Sequence, residues 1–237
     1  MATAKQKGTK PDEPKARLSD RIEIAAPRYD VTTVEVYGVS DLIQERFPEK
    51  ARIAIEGKHA GAAKGPRELR KPEEEYEALK YKLPDGRDAI KSAAFQEAAI
   101  WTANSLDGLN GKRVKSAMRV LDDLIPILGF RIKGGKIVNT PHAEVRMVRD
   151  TGKDAKGGFR LMYRPYYNGW RVRIRVRHRP EMLSSEQIVN LLNHAGFSSG
   201  VGAHRPSSPK KSGPHGMFTA SAEQALAFLR DAQESAS

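Results

Sequence analysis

The sequence predicts an α+β domain, because runs alternating at the two-residue period of a strand are interleaved with segments that carry helix caps and helical spacing. Three stretches carry most of that reading. Arg171-Val172-Arg173-Ile174-Arg175-Val176-Arg177 alternates strictly, as a strand with one buried face does. Val31 to Val39 is β-branched and alternating, which fits a first strand. Ser184, with Gln187 three residues on, opens a segment in which Ile188, Leu191, Leu192 and Ala195 fall at helical spacing before Gly196; that is a capping box, an amphipathic helix and a terminal glycine in order.

The remaining elements follow along the chain. Residues 1–28 carry Lys5, Lys7, Lys10, Lys15 and Arg17 among Ala, Thr and Pro, with little to bury before Ile22 and Ile24, and are expected to be a disordered, mobile basic arm. Residues 29–220 are expected to form one domain with insertions, and residues 221–237 a C-terminal helix. Pro48 sits where a helix can begin, with Glu49 to Glu56 as its body. Residues 57–71 are rich in Gly, Ala, Lys and Arg without an apolar period and read as a basic loop. Tyr76 to Leu83 alternates like a strand and ends at Pro84-Asp85-Gly86, a turn signal. Ser92 can cap a helix carrying Phe95, Ala98, Ala99 and Thr102, closed by Gly108. Lys112 to Leu121 reads as a further short helix. Leu124 to Ile132 and Lys136 to Val138, around Gly134-Gly135, suggest a hairpin. Ala143 to Arg149 reads as a strand before a polar loop from Asp150 to Gly158. Phe159 to Tyr163 and Arg171 to His178 are expected to pair as a hairpin, with Asn168-Gly169 supplying two positive-φ turn residues. After the glycine-punctuated stretch Gly200 to Gly216, Met217-Phe218-Thr219 reads as a strand. A last helix, capped by Ser221 with Gln224, is expected to bury Ala225, Leu226, Leu229 and Ala232.

Composition narrows the function. The 237 residues contain 41 Lys or Arg, 29 Asp or Glu and no cysteine, for a net charge of +12. The absence of cysteine excludes a disulfide scaffold, a thiol nucleophile and a thiolate metal site. No stretch approaches the roughly 20 consecutive apolar residues of a membrane-spanning helix, and Met1 to Lys10 carries no apolar signal region, so a cytoplasmic protein without a membrane partner is expected. A pI near 9.9 points to a polyanion, with nucleic acid as the expected partner.

The arginine ladder gives that expectation a place. Alternation puts Arg171, Arg173, Arg175 and Arg177 on one face of a strand and Val172, Ile174 and Val176 on the other. Guanidinium groups spaced about 7 Å apart repel one another and need anions. Between Glu144 and His178 there are ten Lys or Arg but only three Asp or Glu, too few to neutralise the row locally. The alternative is that acids from elsewhere, such as Glu73, Glu74 and Glu75, meet the row, or that it is a solvated sheet face. Tyr163, Tyr166, Tyr167 and Trp170 lie beside it; Arg pairs with phosphate in a bidentate fork, and rings at a sheet edge can stack on unpaired bases. Trp170 shares the parity of Val172, which favours the core. The expected nucleic-acid interface comprises the four ladder arginines, Arg146, Arg149, Arg160, Arg164, Tyr163 and Tyr166, together with Gly200, Gly202, Arg205, Lys210 and Lys211 of the glycine-rich stretch.

That stretch is neither a dinucleotide fingerprint, since it follows a helix and opens none, nor a P-loop, since Lys210 and Lys211 lack the glycine frame. The order of helix Ser184 to Ala195, Gly200 and Gly202, Arg205, Lys210 and Lys211, Gly216 and a strand from Met217 resembles the C-terminal glycine-rich loop of the RAMP superfamily, the RNA-binding subunits of CRISPR effector complexes. Ser207 to Ser212 is an insertion relative to that pattern. The chain is also similar to phage and prophage proteins that share the Tyr-x-Leu-Pro-Asp-Gly-Arg run found here at 81–87 and the pattern around 184–202. The resemblance implies a ferredoxin-like, RNA-recognition-type β-α-β-β-α-β core over Val31 to Thr219. Its strands would be Val31–Val39, the hairpin Phe159–His178 and Met217–Thr219, its helices Ser92–Asn104 and Ser184–Ala195, with large insertions that include a thumb-like element at 124–158.

Catalytic signals are sparse. The six histidines, His59, His142, His178, His194, His204 and His215, show no pairing at metal-ligand spacing, and no metal or cofactor is expected. Some RAMP relatives process RNA without metal; on that analogy His204, beside Arg205, and His215, near Lys210 and Lys211, are candidates for a general base, against the alternative of phosphate contact or solvent exposure. Asp122-Asp123, the one adjacent carboxylate pair considered for metal chemistry, reads as a polar helix end. The expected function is a non-enzymatic, sequence-tolerant binder of single-stranded RNA or DNA, within a homo-oligomer or multi-subunit nucleoprotein complex. A metal-free endoribonuclease and a virion or scaffold protein with a nucleic-acid-facing surface are the alternatives.

Overall fold

The computed structural model describes residues 25–61, 69–153, 159–209 and 211–234. Most of the expected basic arm, the middle of the 57–71 loop, residues 154–158 and Lys210 lie outside the described residues. In chain order the elements are β1 (Asp30–Gly38), β2 (Leu42–Ile43), α1 (Glu49–His59), α2 (Pro72–Ala78), β3 (Tyr81–Lys82), β4 (Asp88–Lys91), α3 (Ala93–Ala103) and α4 (Gly111–Ala117). There follow β5 (Met118–Val120), β6 (Leu124–Pro126), β7 (Leu128–Lys133), β8 (Lys136–Thr140), β9 (Glu144–Lys153), β10 (Phe159–Asn168), β11 (Trp170–His178), α5 (Ser185–Ser198), β12 (Phe218–Thr219) and α6 (Ala222–Glu234). The fold is α+β with antiparallel sheets, and among the described residues no helix is long and apolar enough to cross a membrane.

The main sheet runs β12-β1-β11-β7-β8, with β5 also on β11. Its spine is the pairing of β1 with β11, from Asp30 opposite His178 to Tyr37 opposite Arg171. Val34 and Val36 of β1 and Val172, Ile174 and Val176 of β11 are buried on the face that meets α3 and α5. Phe95, Ala99 and Ala103 of α3 and Ile188, Leu191, Leu192 and Ala195 of α5 close over them. Each such aliphatic side chain contributes about 1.5–3 kcal/mol on burial. The capping box at α5 forms as the sequence predicts, Ser184 Oγ accepting from the Gln187 N–H and the Gln187 side chain from that of Ser184. Trp170 is fully buried, as its parity indicates, and its indole Nε1 donates to the Ser40 carbonyl at 2.8 Å. The opposite face is covered at one end by α6, where Ala225 and Leu229 pack with Tyr37, Val39 and Phe130.

Several expectations change. The strands expected to form the central hairpin do not pair: β10 lies between β2 and β9 in a separate three-stranded sheet, while β11 belongs to the main sheet. Of the two residues read as the turn, only Gly169 has positive φ, at +55°, and there the chain crosses from one sheet to the other. A Cβ on Gly169 would lie 2.5 Å from the Phe130 carbonyl oxygen, so this crossing is close-packed. Tyr76 belongs to α2, whose Pro72 stands at its start with Glu73, Glu74 and Glu75 in the first turn, and the strand is only Tyr81–Lys82. The helix expected over Lys112–Leu121 ends at Ala117, because Met118–Val120 pairs with Val176–His178 of β11. α1 continues through Gly57 to His59, into the expected basic loop. In α6 Ala225 is fully buried and Leu226 and Leu229 partly so; the Ala232 side chain lies outside the description.

The glycine-rich stretch is tied into the protein by its backbone. The Val201 N–H donates to the Gly216 carbonyl at 2.9 Å, the Ala203 N–H to Ile43 at 2.9 Å and the Gly216 N–H to Asp41 at 2.8 Å. Gly202 has φ +82° and stands so close to β2 that a Cβ would lie 2.5 Å from the Ile43 carbonyl oxygen. Gly202→Ala is therefore expected to destabilise the fold by about 1–3 kcal/mol, read as a lowered denaturation midpoint; an unchanged midpoint would mean that the loop shifts freely.

Candidate nucleic-acid interface

The predicted site residues fall into three groups: the ladder face of the main sheet, the β9–β10 ribbon, and a cleft beneath the glycine-rich stretch. On the ladder, side chains alternate as expected, but the four arginines have four different surroundings. Arg171, at the end covered by α6, is only 9% exposed; its Nε donates to the Gly129 carbonyl at 3.1 Å and its Nη1 stands 3.4 Å from Glu35. Arg173, exposed, donates from Nη2 to the same Glu35 oxygen at 2.7 Å. The Arg173 hydrogen bonds hold the Glu35 carboxyl below its ordinary range against the opposing effect of burial, with Tyr37 and Arg171 assisting. Arg175 pairs with Asp122 through two hydrogen bonds, which hold that carboxyl low as well.

Arg177 lies directly opposite Arg119 of β5. Both are exposed, and Arg119 is turned onto the carbonyls of Met118, at 3.0 Å, and Lys115. Among the described residues no carboxylate lies within ion-pair distance of either. Like charges facing each other across a ladder are destabilising, so this end of the face is left as a cationic pair open to solvent.

The partners of the ladder were not among the acids considered from sequence. Glu74 pairs with Lys71 and Glu75 with Arg70, around α2. Asp122 is not at a helix end: it follows β5 with φ +65°, a left-handed conformation rare outside glycine, and this holds it against Arg175. The alternation of Thr33, Glu35 and Tyr37 along β1 marks Glu35 as lying on one face with them, but its meeting with Arg173 needs the β1–β11 register.

On the ribbon, Arg146 pairs with Asp41 at 2.7 Å and the Arg149 guanidinium lies 5.9 Å from the Tyr163 ring centroid. The Arg160 side chain lies outside the description, as does Lys210. Tyr166, half-buried, meets the edge of His215 with ring centroids 5.5 Å apart.

Arg164, the most buried of the predicted arginines at 5% exposure, joins the ribbon to the cleft. It pairs with Glu45 at 3.0 Å and with Asp150, while its Nε finds no partner. Asp150 also receives Lys211 at 3.4 Å and faces His204 at 3.8 Å. Burial would raise the Asp150 carboxyl, but the Thr151 N–H and the charges of Arg164, Lys211 and His204 outweigh it and hold the group low. His204 takes φ +55° to reach this position. Burial, then the neighbouring cations Arg164 and Lys211, push its imidazole below the ordinary histidine range. Gly200, buried with φ +65°, turns the chain out of α5, and Arg205 braces the loop by donating to the Gly202 carbonyl and the Ser207 hydroxyl, both at 3.1 Å. Gly202, His204, Arg205, Lys211 and Arg164 all line one cleft of about 1200 Å³. Among the described residues no cluster of His, Asp and Glu could hold a metal ion.

No protein-family model matches the chain, and no curated protein matches it. Among solved structures it is similar to the crystal structure of Cmr6 from Pyrococcus furiosus, with 10% identity and a TM-score of 0.38 over 82% of this chain and 99% of the other.

The cluster around Asp150 carries a pH-dependent expectation. An imidazole depressed in the folded state takes up its proton at lower pH than in the unfolded chain, so stability is lost as pH falls from about 6.5 through the lower folded value. Lys211→Ala removes one of the cations that depress His204, and its titration midpoint, followed by NMR of the ring protons, is expected to rise toward the ordinary value. An unmoved midpoint would place the ammonium too far away to act.

Proposed function

We propose that the chain binds single-stranded nucleic acid through the open part of the arginine face, formed by Arg173, Arg175 and Arg177 of β11 and Arg119 of β5. The observation that carries this reading is the Arg177–Arg119 pair: two exposed guanidinium groups held opposite each other without a carboxylate among the described residues. A phosphate between them turns repulsion into two charge-assisted hydrogen-bonded interactions. Arg173 and Arg175 have exposed guanidinium groups on half-buried carboxylates, and are positioned to bind phosphates along the same strand from the solvent side. The basic balance of the whole chain supports steering of a polyanion to this face.

The sheet order β12-β1-β11-β5, with α3 and α4 between β1 and β5 and α5 between β11 and β12, supports a β-α-β-β-α-β core of the ferredoxin-like kind. In that reading the second core strand is β5, in place of the Phe159–Tyr163 run, and residues 121–169 are an insertion that includes the ribbon. The glycine-rich stretch and this order together support a RAMP-like subunit in a cytoplasmic nucleoprotein complex, with residues 1–28 as a basic arm, 29–220 as its domain and α6 as a C-terminal addition.

One observation favours a second reading, a metal-free endoribonuclease. His204 has its imidazole held below the ordinary range and sits beside Lys211 and Arg164, as a general base near cationic stabilisers would. The same experiment addresses both. Fluorescence anisotropy with short single-stranded RNA and DNA and with duplex DNA, over a series of salt concentrations, is expected to favour single strands. The double change Arg119→Gln and Arg177→Gln should flatten the slope of log affinity against log salt by about 0.7 for each phosphate no longer neutralised, with the thermal midpoint unchanged or raised. An unchanged slope would overturn this assignment of the face. RNA recovered intact on a denaturing gel in the presence of chelator is the expected result; cleavage that His204→Ala abolishes while binding survives would establish the second reading instead.

A further inference from the structure

The cleft beneath the glycine-rich stretch lies apart from the arginine face, and neither the ladder nor its ion pairs use it. Its composition is divided. Ile43, Ile90, Ala94 and Met162 give it aliphatic walls. At one end Tyr81 carries the Lys91 ammonium 5.3 Å and the Arg46 guanidinium 5.9 Å from its ring centroid. The cluster of Arg164, His204 and Lys211 around Asp150 also lines the cleft. An opening of about 1200 Å³ exceeds the roughly 300–1,000 Å³ of ordinary small-molecule sites and admits a ligand with accompanying water.

These features define a ligand that is flat and apolar in one part and anionic in another. Lys211 has 58% of its side chain exposed, so it can leave its 3.4 Å pairing with Asp150 for a stronger anion without moving the loop. The loop itself is fixed by the hydrogen bonds of Val201, Ala203 and Gly216 and by the brace from Arg205, so the His204 ring is held in place before any ligand arrives. A non-glycine residue kept at positive φ in a cleft is strain of the kind that persists at ligand clamps. Two carboxylates, Glu45 and Glu97, also line the space; Glu45, like Asp150 beside the cleft, is taken up by Arg164, leaving the Lys211 and Lys91 ammonium groups to face an incoming anion.

We propose that this cleft binds a nucleoside phosphate, its base between the aliphatic walls and Tyr81 and its phosphate at Lys211 and His204. The ligand has two possible sources, a free nucleotide or the phosphorylated terminal nucleotide of a strand. Binding at this site does not require the arginine face, so the two assignments can fail separately.

Titration calorimetry of the full chain with adenosine monophosphate, adenosine and inorganic phosphate tests the chemistry. The monophosphate is expected to bind at least about tenfold more tightly than either fragment, one factor of ten being about 1.4 kcal/mol. No binding of the monophosphate, or equal binding of inorganic phosphate, would overturn the proposal. Lys211→Ala should weaken the monophosphate about tenfold, and Ala94→Trp, which fills the cleft without changing charge, should abolish its binding. Both should leave the affinity of the arginine face for a 5′-hydroxyl oligonucleotide within about twofold. If Ala94→Trp does not fold, Met162→Trp serves in its place, and monophosphate binding retained in a folded cleft-filling variant would overturn the assignment. Tighter binding of a 5′-phosphorylated oligonucleotide than of its 5′-hydroxyl form, abolished in Lys211→Ala, identifies a strand end as the source; equal affinity for the two forms, with the monophosphate still bound, identifies the free nucleotide.

Discussion

Burial of Val172, Ile174 and Val176 beneath α3 and α5 fixes where every other side chain of β11 must go. A strand has only two faces, so once its aliphatic half is committed to the core the arginines are committed to the other side, whatever their mutual repulsion. The neighbouring strands then answer that row by register. β1 brings Glu35 opposite Arg173, the left-handed Asp122 brings a carboxylate to Arg175, and β7 offers Arg171 the Gly129 carbonyl. Only β5 brings no relief, because it sets Arg119 against Arg177. The charge of the face is thus graded along β11, from a buried and satisfied end to an open cationic one, and the gradation follows from packing on the far side of the sheet.

The second organising interaction centres on Asp150. It gathers Arg164 from β10, His204 and Lys211 from the glycine-rich stretch, and it is itself part of β9, so one carboxylate ties the ribbon to the loop. Its ionised state is maintained by the groups that it holds together. Arg164 is buried and Lys211 is exposed, so the same carboxylate makes one permanent pairing and one exchangeable pairing. That difference separates the structural role of the cluster from any role in recognition.

What the sequence made legible was local. The alternation of β1 and β11, the capping box of α5, the Ser221 cap of α6 and the core parity of Trp170 all depend on residues within a few positions of each other. The misreadings arose where a distant partner decided the outcome. Asn168-Gly169 has the chemistry of a tight hairpin, yet the Phe130 carbonyl and the buried seat of Trp170 turn the chain into another sheet. Lys112–Leu121 has enough helical character to begin a helix, but the free edge of β11 captures Met118–Val120. For α2 the signal was present, in Pro72 followed by three glutamates at a helix start, and alternation around Tyr76 masked it. The ligands of the ladder, Glu35 and Asp122, lie 138 and 53 residues from their arginines, beyond any spacing argument. The grouping of Arg164, His204 and Lys211 in one cleft depends likewise on Asp150, which local pattern alone places in a loop.

The burial of Arg171 at one end of β11 also shortens the row of cations that this face leaves open. From Arg173 to Arg177 the open row measures about 14 Å, which on the proposed function would be a short seat for a strand of nucleic acid. On the proposed function a long ligand would overhang a single copy on both sides, and tight occupancy would then call for several copies sharing it, each adding a modest affinity that linkage multiplies. The burial of Arg171 would in that case set the footprint, and with it the density at which copies could be arrayed along a strand.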